Sequence, residues 1–166
     1  MPQLSASQQK LLKTIHLLAA GLWLSSVIIL MLLPLLSRGI TSGDEIYMYN
    51  RAYHFIDMLI LTPAAIVTFL TGLIYSLFTQ WGFVRHGWII YKWIITLLII
   101  ITGTFYLGPM VTKLLAIADA KRIVALQDSY YIQGEVIGLS AAIINSLLLI
   151  VAVLFSVYKP WKNVKR

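Results

Sequence analysis

Residues 11–36 read LLKTIHLLAAGLWLSSVIILMLLPLL, 26 residues whose only ionisable side chains, Lys13 and His16, sit together near the start. About 20 apolar residues suffice to cross the hydrocarbon of a bilayer, so this run can span it with some tilt. It is too long for the apolar core of a signal peptide, and no small-x-small cleavage pattern follows it, which predicts a permanent first helix. Ser5 or Ser7 in LSASQQ supplies an N-cap ahead of it.

The composition extends that reading to the whole chain. Of the 166 residues, 60% are hydrophobic and 11% charged, and the mean hydropathy is +0.85. A soluble domain of this size could not hide so much apolar surface in one core, so lipid must cover the excess. The absence of cysteine excludes disulfides, thiolate metal sites and c-type haem attachment. The net charge of +7 fits basic residues at the ends of membrane spans. No nucleic-acid recognition motif accompanies it, and no nucleic-acid partner is expected.

Three further apolar runs follow, at about 56–79, 88–111 and 130–158. Residues 37–51, SRGITSGDEIYMYNR, break the hydrophobicity with two glycines and four charges and read as a loop outside the hydrocarbon. Pro63 in the second span predicts a kink or a missing backbone bond, and Gly108-Pro109 near the end of the third a bend or local unwinding. The turn QWGFVRHG makes spans two and three antiparallel neighbours. The connection at 112–129 mixes Leu114, Leu115, Ile117, Ile123, Val124 and Leu126 with charges, which suits a helical extension or an interfacial helix better than a free loop. The expected fold is all-α: a single integral membrane four-helix bundle, residues 1–166, with outer connections at 37–55 and 112–129.

Charge sets the direction. Both termini and the turn between spans two and three carry Lys10, Lys13, Arg85, Lys92, Lys159, Lys162, Lys165 and Arg166, with no acid. The opposite side carries all six acids but only Arg38, Arg51, Lys113, Lys121 and Arg122. Eight bases against five place both termini of this multi-pass membrane protein in the cytoplasm.

An ionisable group inside a bilayer costs roughly 2.5 to 3.5 kcal/mol at mid-span, so each needs a partner or a purpose. On the cytoplasmic side His16 and Lys92 lie about 6 to 8 Å below the starts of their spans and can share a level. Two readings stay open for them. His16 can be a metal or axial haem ligand, with Ala19, Ala20, Trp23 and Ser26 giving room on its face. Alternatively, His16 hydrogen-bonds a neighbouring helix while Lys92 snorkels to lipid phosphate. A bis-histidine haem would need a facing partner, for which His54 is on the wrong side and His86 too shallow.

On the outer side His54 and Asp57 form an i, i+3 pair, preceded one turn earlier by Arg51, with Glu135 at comparable depth in span four. They can form the mouth of a cation or proton pathway, or a cap in which Arg51 neutralises Asp57 or Glu135. The cap is the expected arrangement. Asn145, Thr68, Thr71, Thr96 and Thr102 are expected to supply interhelical hydrogen bonds. Gly134 and Gly138 form a GxxxG pair that predicts close packing, within the bundle or in a homo-oligomer through the fourth span.

The segments KTIHLLAAGLW from Lys13, MYNRAY at Met48 to Tyr53, LTPAAIVTFLTGL from Leu61 and WIIYKW at Trp88 to Trp93 resemble a known group. They are similar to small bacterial four-helix membrane proteins related to the CopD-type copper-resistance domain and to the HemJ-type protoporphyrinogen oxidase. The HemJ-like resemblance implies haem b, with His16 and Lys92 at the motif positions of spans one and three and Arg51, Pro63 and Gly72 at framework positions. It also implies oxidation of a porphyrinogen. The CopD-like resemblance implies copper, although Met31, Met58 and Met110 form no Met-x-x-Met pair.

The expected function is therefore a haem-associated membrane protein, redox-active or a porphyrinogen oxidase relative. His16 is its axial ligand, and Lys92 is the second ligand or a propionate anchor. A cation or metal transporter using the outer acids, and a non-catalytic membrane partner, are the alternatives.

Overall fold

The computed structural model describes residues 4–79 and 82–161. Gln80 and Trp81 of the turn, and the terminal bases Lys162, Lys165 and Arg166 counted above, lie outside the described residues. Four helices, α1 (Ala6–Ser37), α2 (Gly43–Phe78), α3 (Gly87–Gln127) and α4 (Ser129–Tyr158), are each long and apolar enough to cross a membrane.

They run up and down in an all-α four-helix bundle. At one end the Leu4 N–H donates to the Phe78 carbonyl at 3.4 Å and the Gly87 N–H to that of Trp161 at 3.1 Å, which gathers the described termini with the α2–α3 turn. At the other, distal end Arg122 bridges Asp44 at 3.3 Å and Asp119 at 3.2 Å.

The bundle is apolar outside as well as inside. Leu18, Phe105 and Val157 are 70%, 78% and 71% exposed, a surface that water would disfavour and lipid would cover. Inside, Trp23 is 1% exposed and packs among Val27, Ala64, Ala65, Ile95, Ile99, Ala142, Leu149 and Ala152. The alanines of α2 and α4 make the room that an indole requires when helices approach closely.

The first connection differs from the sequence reading, and the second is the helical extension it expected. The stretch expected to be a loop becomes helix at Gly43, because Ser42 Oγ accepts from Glu45 N–H while the Glu45 carboxylate accepts from the Ser42 and Thr41 amides. This capping box satisfies donors that a helix start otherwise leaves open. Asp44 and Glu45 also complement the dipole of the first turn. At the other connection, α3 stays helical through Lys121 and tightens into 3₁₀ turns over Arg122–Gln127, before Asp128 caps α4. Arg122 takes φ 50° there. Its Cβ leaves no space at Gly43, where an added Cβ would lie 2.6 Å away.

The helices run on through Pro63 and Gly108-Pro109, with the backbone irregular beside both. Each follows a π-helical turn, Ile56–Leu61 in α2 and Gly103–Leu107 in α3. A proline ring displaces the carbonyl four residues back and offers no N–H. The residue before each proline reaches back five residues instead, Thr62 N–H to Asp57 O and Gly108 N–H to Gly103 O. The Thr62 hydroxyl donates to the same Asp57 carbonyl at 2.9 Å. Met58 of the first turn packs beside the end of the second: a Cβ on Gly108 would lie 3.3 Å from Met58 Cε.

Candidate functional site

Because α2 begins at Gly43, its residues Ile46, Tyr49, Asn50, Tyr53 and Asp57 form one helical stripe at i, i+3, i+4, i+7 and i+11. That stripe meets α4. The Tyr49 hydroxyl donates to Glu135 Oε2 at 2.8 Å. Asn50 Nδ2 donates to the Tyr131 hydroxyl at 2.7 Å and to the Ile46 carbonyl at 2.9 Å. Both Asn50 and Tyr131 are buried.

Two adjoining cavities lie behind these bonds. The first, about 10 Å³, is lined by Tyr49, Tyr53 and Glu135. The second, about 40 Å³, is lined by Tyr53, Asp57 and Asn145, with Val27 of α1. Tyr53, Met110, Val111 and Gly138 belong to both walls. A water needs roughly 10–15 Å³ by this measure, so the first holds about one water-sized species and the second two or three.

The expected cap does not form. Among the described residues the ion pairs are Lys121–Asp128, Arg122–Asp44 and Arg122–Asp119. Arg51 is exposed and pairs with neither Asp57 nor Glu135, because it lies on the side of α2 away from the stripe. His54 Nε2 meets Thr112 Oγ1 at 3.3 Å on the exposed seam between α2 and α3. The structure thus brings Asp57 and Glu135 to adjoining cavities and leaves Arg51 and His54 at the rim.

At the opposite end His16 Nδ1 lies 2.8 Å from Thr71 Oγ1. The Thr71 hydroxyl has one proton, with the Val67 carbonyl at 2.6 Å and the Thr68 carbonyl at 3.0 Å to receive it. It therefore accepts from Nδ1–H, which leaves His16 Nε2 with the free lone pair. The Tyr75 ring packs edge-to-face with the imidazole, with centroids 6.2 Å apart. A Cβ on Gly72 would lie 3.8 Å from His16 Cε1.

Lys92 lies within electrostatic reach of His16 but is held elsewhere. Its Nζ donates to Ser156 Oγ at 3.2 Å and stands 5.6 Å from the centre of the Trp88 ring. His86, the residue just before α3, stacks on Trp88. Neither cavity adjoins His16 or Lys92. Among the described residues no three His, Asp or Glu side chains gather to hold a metal ion.

The GxxxG glycines face inward. A Cβ on Gly134 would lie 2.7 Å from Leu114 Cδ2, and one on Gly138 would lie 3.5 Å from the Tyr53 hydroxyl. The threonine hydroxyls mostly bond their own helix: Thr68 donates to Ala64 O at 2.8 Å and Thr102 to Leu98 O at 2.8 Å. The i−4 carbonyl is the nearest acceptor for a hydroxyl inside a helix. Thr71 alone of these also links two helices, through His16.

Sequence reasoning missed Tyr49, Asn50, Tyr53 and Tyr131 as site residues. The signal was the Ser42-x-x-Glu45 capping box, which starts the helix early enough to put the first three on the Asp57 face. Comparison of the chain with protein-family models, with characterised proteins and with solved structures finds no match.

Proposed function

We propose that the protein is a membrane protein that binds and passes a small cation, the proton included, through the site around Glu135 and Asp57. The observation that carries this reading is the pair of carboxylates, without an ion-pair partner among the described residues, at two adjoining cavities inside membrane-crossing helices. Ionisable groups at such depth are costly and commonly mark ion or proton pathways. The cavities suit a proton or a partly dehydrated ion and not a large organic substrate. The π-helical turns on either side support the reading, since such turns recur at functional sites. The excess of lysine and arginine on the side of the termini supports an orientation with that end in the cytoplasm, and the resemblance to small bacterial membrane proteins makes a bacterial inner membrane the proposed location.

A hydrophobic carbodiimide, which attacks protonated carboxyl groups in apolar surroundings, tests the site. Purified protein should be labelled at Asp57 and Glu135, and Asp57→Asn and Glu135→Gln should each remove one adduct by mass spectrometry. Absence of labelling at both residues sinks the reading.

The haem-associated reading, with its extension to porphyrinogen oxidation, keeps one specific support. The Thr71 hydroxyl holds the tautomer that leaves His16 Nε2 able to ligate iron. Haem would supply one-electron chemistry there, with Lys92 as second ligand or propionate anchor. The donor chemistry fits but the volume does not, since cavities of about 10 and 40 Å³ are far smaller than a macrocycle and lie away from His16. An absorption spectrum decides: a Soret band altered by His16→Ala supports haem, and its absence removes it.

A further inference from the structure

We infer that the distal site continues through the bundle core to His16 as a proton path, so that the cation it handles is the proton. This rests on the proposed reading of Asp57 and Glu135 and narrows it to one species. The observation is a series of polar groups between the cavity floor and the imidazole. The larger cavity is lined by Val27 of α1 and by Ala142 and Asn145 of α4. One turn beyond Val27 stands Trp23, 1% exposed, and immediately after Asn145 stands Ser146, 3% exposed. Neither Trp23 Nε1 nor Ser146 Oγ has a hydrogen-bond partner among the described residues.

Unpartnered buried donors are rare in folded proteins and are commonly served by internal water. Two of them, on facing helices just past a cavity with room for two or three waters, extend that polar line inward. On α2 the buried Thr71 hydroxyl meets His16 at Nδ1 and holds the ring at the end of this line. From Val27 to His16 the helix rises about 16 Å, and Trp23 divides that distance. Past the cavity the line joins groups from α1 and α4. It ends at the one imidazole in α1, whose Nε2 is free to take a proton.

Around Glu135 stand the Tyr49, Tyr53 and Tyr131 hydroxyls. Asp57 has Tyr53 and His54 within electrostatic reach. His16 has Lys92 and the ring of Tyr75. A proton from the distal aqueous phase binds a carboxylate oxygen of Glu135 or Asp57, moves along internal water past Ser146 and Trp23, and binds His16 Nε2, while Thr71 accepts from Nδ1–H and only holds the ring. It then leaves Nε2 for the aqueous phase at the terminal end. Only O–H and N–H bonds form and break, and the net transfer is one proton across the bundle. A cation other than the proton could use the distal cavities but not a single-file line of donors past an indole.

The test uses the full chain reconstituted into phospholipid vesicles with an internal pH-sensitive dye and a valinomycin-clamped potassium diffusion potential. Wild-type protein should carry protons well above empty vesicles. His16→Gln, Asp57→Asn and Ser146→Leu should each slow the flux about tenfold or more. His16→Gln keeps a side chain able to bond Thr71, and a circular dichroism melt checks that each variant folds. Proton flux equal to that of empty vesicles, or unchanged in folded His16→Gln, overturns the path. With carbodiimide labelling retained, that failure leaves the distal site standing; with labelling lost, both fall. Sodium or potassium flux in place of proton flux, read with ion-selective dyes, overturns the proton assignment alone and keeps the cation site.

Discussion

Tyr49 and Glu135, 86 residues apart in sequence, are joined by a hydrogen bond of 2.8 Å from the phenol to Oε2, and this bond closes the distal half of the bundle. It ties the first turns of α2 to α4 where no ion pair does so. Replacing Tyr49 by Phe keeps the ring and removes the donor, which leaves a half-buried carboxyl oxygen unsatisfied. The expected loss is about 1–3 kcal/mol, measured by denaturant unfolding in detergent. Glu135→Gln retains an acceptor and should cost less than Tyr49→Phe. The reverse order would mean that the bond does not hold the two helices.

Thr71 fixes the imidazole of His16 by accepting from Nδ1–H. Nitrogen NMR of histidine-labelled protein near neutral pH should show His16 as the Nδ1-protonated tautomer. In Thr71→Val the two tautomers should mix, while the helix content is unchanged. A wild-type ring protonated on Nε2 would contradict both the donor assignment and the use of Nε2 in either functional reading.

The space beside Gly134 is filled by Leu114, which is itself buried. Gly134→Val overfills the α3–α4 contact and should destabilise the protein by about 1–3 kcal/mol. Leu114→Ala alone leaves a hole and should cost about 2–5 kcal/mol. The double variant should cost clearly less than the sum of the two, because the new isopropyl group enters the space that Leu114 vacates. Strict additivity would show that the two residues do not share a contact.

The hydrophobic runs made the four helices legible, because nothing but a membrane or a very large core accommodates such runs. Legibility ended where polar residues sit on helices. Residues 43–55 carry charges and tyrosines, so by hydropathy they read as a loop, yet Ser42 and Glu45 already encode the helix start. With the helix placed, the stripe from Ile46 to Asp57 follows from periodicity alone. Pro63 and Pro109 signalled irregularity without its form, since a π turn and a kink both relieve the same clash and neighbouring helices choose between them. The partner of Glu135 was not legible either. Arg51 had the complementary charge, but Tyr49 occupies the facing side of the helix. His16 was singled out correctly as a residue that needs a partner, and only the packing of α1 on α2 identified it as Thr71.

Asp128 gives stability a dependence on acid at the distal connection. Its carboxylate accepts from the Lys121 ammonium and caps α4 by accepting from the Tyr131 N–H at 3.0 Å. These bonds, the Lys121 contact first, hold the carboxyl below its ordinary value. In the unfolded chain the group titrates near the usual aspartate value of about 3.9. Its contribution is therefore complete above that value and is lost as the pH falls through the lower folded value. The melting temperature should fall on acidification through this window. Asp128→Asn still accepts from Tyr131 N–H but carries no titrating charge, so it should flatten that part of the profile. Asp128→Ala removes the cap as well and should melt lower than Asp128→Asn at neutral pH. A profile identical in wild type and Asp128→Asn would assign the acid sensitivity to other carboxyl groups.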